Sequence, residues 1–140
     1  MSRIEEALAA RGIELPPAPA PVAAYVPVRV AGNLAFVSGQ LPFEGGVVSL
    51  TGRVGDDVTV ESAAAAARRC ALQALAALRD ALGSLDRVTG IVQLSVFVAS
   101  APGFTGQPAV GNGASELLVD RKSTRLNSSH MSESRMPSSA

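Results

Sequence analysis

Residues Asn33–Pro42 read N-L-A-F-V-S-G-Q-L-P. Leu34 to Ser38 has strand-forming character and stops at a glycine, so the segment reads as a buried strand that breaks at Ser38-Gly39-Gln40. A glycine at a strand end lets a ligand approach the backbone closely, because no side chain stands in the way. Ser38 and Gln40 flank that opening with a hydroxyl and a carboxamide, neutral donors and acceptors suited to a small polar substrate. A plainer alternative has Gly39 allowing a bend and Gln40 solvated in a loop. Taken by itself, the segment favours that alternative.

Outward from this stretch, Tyr25 to Val30 alternates weakly and Ala31-Gly32-Asn33 is a turn signal, which makes a hairpin with Leu34 to Ser38. Pro27 has no amide to donate and belongs at an edge or bulge. Val47 to Leu50 is a short third strand after the Glu44-Gly45-Gly46 loop. Thr51 to Gly55 is a linking loop without the Lys-Ser/Thr ending of a nucleotide cradle.

Thr59 caps a long helix that runs to about Leu82 and stops at Gly83. Val60, Ala64, Ala67, Ala71, Leu75, Leu78 and Leu82 form one stripe, with Glu61, Arg68, Arg69, Gln73, Arg79 and Asp80 opposite. The stripe is mostly alanine, which permits close approach to a flat partner such as a sheet. Leu72 falls among the polar residues, as a surface leucine or a contact with a partner subunit. Cys70 reads as a small packing residue. Ile91 to Ala99 is the clearest strand, with Val92, Leu94, Val96 and Val98 toward the long helix and Ile91, Gln93, Ser95, Phe97 and Ala99 on the other side. A second helix begins near Pro108 and includes Ala114 to Val119.

The chain divides into three parts. Residues 1–21 hold a short leading helix, capped by the Ser2-Arg3-Ile4-Glu5 box and ended at Gly12, and a connector with four prolines between Leu15 and Pro21. Residues 22–120 are a globular domain. Residues 121–140 turn abruptly Ser- and Arg-rich with no period, and are expected to be a foreign or disordered tail that makes no stable tertiary contacts. The only histidine, His130, lies in that tail. Residues 1–120 carry eight Arg and no Lys against eleven Asp and Glu, 8 − 11 = −3, and the tail carries 4 − 1 = +3.

These features exclude several classes. An acidic body without a basic run offers no footprint for nucleic acid. No apolar run approaches the roughly 20 residues of a membrane span. The acidic start M-S-R-I-E-E-A-L is unlike a secretory signal, so a cytoplasmic location is expected. One cysteine, Cys70, permits neither an internal disulfide nor a cysteine-based zinc site, and no metal or cofactor is expected.

The ordered set L-A-F-V-S-G-Q-L-P, C-A-L-Q-A-L-A-A-L and L-D-R-V-T-G-I-V-Q-L-S-V-F-V, followed by Phe104 and Asn112, resembles the RidA/YjgF family. That family is also known as endoribonuclease L-PSP or chorismate-mutase-like. The resemblance covers about Val22 to Asp120. It implies an α+β fold with a mixed sheet and helices packed on one face, here with the C-terminal strands missing. It also implies a homotrimer in the full-length protein, with pockets between subunits.

The activity implied is hydrolysis of enamine or imine intermediates, such as 2-aminoacrylate and its imine, to 2-oxo acids and ammonia, without a cofactor. Tyr25, Ser38, Gly39, Gln40 and Asn112 match substrate-binding positions. The family's carboxylate-holding Arg, on a strand after the second helix, has no counterpart, so no catalytic residue is assigned and the chain is expected to be inactive as it stands. The alternatives are a non-catalytic small-molecule-binding module of the same fold and, last, an endoribonuclease. RNA cleavage needs acids, bases and phosphate-binding cations that this body lacks.

Overall fold

Ser2 and Thr59 start the first two helices by the same device. In the computed structural model, which describes residues 2–18, 26–118 and 131–136, each hydroxyl accepts the backbone N–H three residues on. This satisfies a donor that has no intrahelical partner. Helix α1 (Arg3–Ala10) is followed by Gly12 at φ +73°, and α2 (Val60–Leu82) by Gly83 at φ +83°, the left-handed backbone that glycine adopts without penalty.

Strands β1 (Val28–Ala31) and β2 (Leu34–Val37) form the expected antiparallel hairpin, with Gly32 and Asn33 between them. A second small hairpin joins β3 (Phe43–Glu44) to β4 (Val47–Val48) across Gly45 and Gly46. Leu85–Arg87 forms a 3-10 turn after α2. Strand β5 (Leu94–Ala99), helix α3 (Gln107–Leu118) and strand β6 (Met131–Met136) complete the order. Among the described residues the strands form three two-stranded sheets, β1-β2, β3-β4 and β5-β6.

The core lies where α2, α3 and the inner side of β5 meet. Leu75, Leu78, Leu85, Val98, Val110, Ala114, Leu117 and Leu118 are buried there, and α1 contributes Leu8. Helix α1 is tied to the 3-10 turn by the Arg3 N–H, which donates to Asp86 at 2.8 Å. On β5, Val98 is buried and Leu94 and Val96 are half-buried, whereas Ser95, Phe97 and Ala99 are exposed, as the period of two requires. Val92 lies before the strand and is exposed, unlike its expected companions.

Four expectations need correction. The strand Leu34–Val37 is not buried. Its register places Arg29, Ala31, Leu34 and Phe36 on the side away from the core, and Phe36 is 58 % exposed; Val28 and Val37 alone pack inward. The alanine stripe of α2 packs chiefly against α3 rather than a sheet, since small side chains let two helix backbones approach closely.

Leu72 and Gln73 are not on a polar face, because both are buried. The stretch Ala71–Leu78, A-L-Q-A-L-A-A-L, carries no charge, and a helix without a polar face is surrounded by protein. Last, the tail expected to lack tertiary contacts includes β6, which pairs in parallel with β5 from Leu94↔Met131 to Ala99↔Met136.

Candidate functional site

Strand β2 delivers Ser38 to the end of the hairpin, where its N–H donates to the Pro27 carbonyl at 2.9 Å. Pro27 thus serves the hairpin as an acceptor, the only backbone role open to it. The chain then leaves regular structure from Ser38 to Pro42 and re-enters it at β3. Along this loop Ser38 and Gln40 are half-buried and Gly39 is exposed.

Gly39 is informative because nothing among the described residues requires it. Its φ is not positive, and a Cβ added there would meet nothing within 4 Å. Compare Gly113, where an added Cβ would lie 2.0 Å from the Ala64 carbonyl oxygen, or Gly55, where it would press on Phe104 at 2.9 Å. Those two are explained by internal packing. At Gly39 the space is open, and no described residue accepts from the N–H of Gly39 or of Gln40.

The Gln40 carboxamide is turned back on its own loop. Its Nε2 donates to the Ser38 carbonyl at 3.2 Å, and its Oε1 accepts from Gln73 at 3.2 Å. Gln73 reaches up from α2 and also donates to the Leu41 carbonyl at 2.6 Å and accepts the Phe43 N–H at 2.8 Å. Arg69, one helical turn earlier, donates from Nε to the Phe43 carbonyl at 2.9 Å. Among the described residues, the groups at this turn without a hydrogen-bond partner are therefore the backbone N–H groups of Gly39 and Gln40 and the Ser38 hydroxyl, and no carboxylate or guanidinium is hydrogen-bonded to residues 38–40.

The structure brings Ser38, Gly39 and Gln40 together. Asn112 is exposed on α3, and no hydrogen bond joins it to that turn. Tyr25 lies outside the described residues. Gln73 was not singled out from sequence, where it looked like one more polar residue on a solvated face. The charge-free stretch around it was the available signal.

Other reactive groups are accounted for by structure. Burial pushes the Cys70 thiol up to about 11. Asp57 closes the loop before α2: the Arg53 N–H, donating to it at 2.7 Å, together with its own N–H, holds its carboxyl below the ordinary aspartate value. Among the described residues no group of three His, Cys, Asp or Glu side chains could hold a metal, and no helix is long and apolar enough to cross a membrane.

Comparison with known proteins places these features in a family. Residues 5–137 match the family described as "YjgF/chorismate mutase-like, putative endoribonuclease". Protein TCP17 of Trypanosoma cruzi is 46% identical over 117 residues, 84% of this chain and 73% of that protein. Among solved structures, Agrobacterium tumefaciens Atu1372, a protein of unknown function, is 39% identical with a TM-score of 0.79, covering 96% of this chain and 80% of that one. A "putative endoribonuclease" from Shewanella oneidensis is 31% identical with a TM-score of 0.88, covering 98% of this chain and 90% of that one. A strand that ends in an unobstructed Ser-Gly-Gln turn, helices packed together beneath it, and agreement over nearly the whole length make this chain a member of the YjgF/chorismate mutase-like family.

Proposed function

We propose that the Ser38–Gln40 turn binds small 2-imino and 2-oxo acids and that the protein is an imine deaminase of the RidA type. The observation that carries this reading is Gly39, a glycine that neither its backbone angle nor packing among the described residues requires, beside two N–H groups without a described partner. Such donors suit a site where negative charge develops. Water adds to the imine carbon and the nitrogen takes up a proton. The resulting carbinolamine then collapses, forming the C=O bond, breaking the C–N bond and releasing ammonia.

A carboxylate-holding arginine is absent from the turn, and a neutral N–H pair does not replace a forked guanidinium. That observation favours the second reading, a binding module of the same fold without turnover. In both readings the pocket is completed by other copies in a homotrimer. The outward apolar side chains Leu34, Phe36 and Phe97 support this, with Phe97 65 % exposed. RNA cleavage, the activity named for the family and the Shewanella oneidensis relative, ranks third because the turn carries neither an acid-base pair nor a cation for phosphate.

The test is to follow the Gly39 and Gln40 amide resonances during titration with pyruvate, and to assay ammonia from a freshly generated 2-aminoacrylate-type intermediate. A Cβ at Gly39 meets no described atom within 4 Å, so Gly39→Val should abolish the pyruvate response and leave the melting temperature unchanged. Ammonia release assigns the deaminase, and binding without release assigns the module. No response in the wild type, or an equal one in Gly39→Val, overturns the site. Salt-sensitive RNA binding would revive the third reading.

A further inference from the structure

Gln73 is the single polar side chain in the charge-free stretch Ala71–Leu78, and it is 1 % exposed. A carboxamide buried this deeply is tolerated when its polar atoms are paired. Both ends are paired with one loop: Oε1 with the Phe43 N–H, and Nε2 with the Leu41 carbonyl and Gln40 Oε1. Gln40 passes the connection on to the Ser38 carbonyl. Arg69 grips the same loop at the Phe43 carbonyl. Helix α2 is capped at both ends and buried along this stretch, while residues 38–42 have no regular structure of their own. The helix is therefore the rigid partner and the loop follows it.

We infer that Gln73 is a positioning residue: through Gln40 and Leu41 it sets the direction of the Gly39 and Gln40 N–H groups that face the ligand. Its use in binding rests on the small-molecule reading above, but its hold on the loop does not. At 1 % exposure Gln73 lies beneath the loop rather than on its surface. The requirement is for a donor and an acceptor on one planar group, because the loop offers an N–H and two oxygens. Glutamate at this position keeps the acceptor for Phe43. When ionised it has no donor, and it opposes the Leu41 and Gln40 oxygens. When protonated it donates again.

The experiment uses the full chain with Gln73→Glu, Gln73→Leu and Gln40→Ala, pyruvate as the probe, and amide hydrogen exchange and chemical shifts as readouts. Gln73→Leu, which removes the acceptor, should exchange the Phe43 amide at least tenfold faster than the wild type, at a pH where circular dichroism shows the fold intact. Gln73→Glu, which keeps it, should accelerate Phe43 far less. In Gln73→Glu the Gly39 and Gln40 resonances should move toward wild-type positions as pH falls, and any pyruvate response should recover with them. The wild type should show no such profile. Gln40→Ala should shift the Gly39 amide without accelerating Phe43, and it remains decisive if Gln73→Leu fails to fold. Unchanged exchange at Phe43 in Gln73→Leu, with unchanged Gly39 resonances in Gln73→Glu and Gln40→Ala, would overturn the inference. If the wild type ignores pyruvate, the ligand reading fails, and the exchange data alone decide the positioning role.

Discussion

Gly113 of α3 lies directly against the Ala64 carbonyl of α2, so close that a Cβ on Gly113 would sit 2.0 Å from that oxygen. The contact is backbone to backbone, and no rotamer change relieves it. It explains why α2 carries alanines where a leucine stripe would be ordinary: the helices approach to a distance that only small residues permit.

Gly113→Ala should therefore destabilise the protein, although alanine is the better helix former by about 1 kcal/mol. Forcing the helices apart costs on the order of 1–3 kcal/mol or more. Thermal melting should show a drop of several degrees. A rise would mean that the helices separate freely and that the close crossing is not needed.

Leu75 and Leu82 lie on the same stripe, but Leu75 is fully buried and Leu82 only partly. Leu75→Ala should cost about 2–5 kcal/mol, because a cavity remains among Leu78, Leu85 and their neighbours. Leu82→Ala should cost clearly less in the same denaturant series. Equal losses would show that the helix is buried uniformly to its end.

The Asp57 carboxyl is held below its ordinary value by the Arg53 N–H, by its own N–H and by the Arg53 charge. A depressed folded-state value stabilises the ionised form. The contribution is therefore complete above the ordinary aspartate value and is lost as pH falls through the lower, folded one. Asp57→Asn should lessen the loss of stability below pH ~4. Melting curves across the acid range should be flatter for the variant, and identical slopes would exclude a role for this loop.

Cys70 should resist alkylation at neutral pH, because burial holds its thiol near 11 and the thiolate is the nucleophile. The value is raised, so the stabilising effect is complete below the unfolded thiol's value. It is lost as pH rises from there toward 11. Iodoacetamide labelling should track unfolding, and rapid labelling of the native protein would contradict the burial.

Most of the architecture is legible locally. Ser2 and Thr59 announce helix starts, Gly12 and Gly83 announce helix ends, and Gly32-Asn33 joins two strands, because capping and turn chemistry act between residues a few positions apart. The alternation from Leu94 to Ala99 likewise predicts which side of β5 faces the helices. The S-G-Q turn and the family it indicates could be read from the chain without coordinates.

Partners distant in sequence could not be read in this way. The sequence by itself determined the three helices, the first hairpin and the strand after α2, though not β3 or β6, and it pointed to Ser38, Gly39 and Gln40. Only the tertiary structure decided that Leu72 and Gln73 are buried, that Phe36 faces outward, and that the alanines of α2 meet Gly113. It also turned the Gln40 amide inward onto a loop held from 33 residues away by Gln73. Burial and hydrogen-bond partnership depend on what folds against a residue, and periodicity within one segment records only that a face exists, not what covers it.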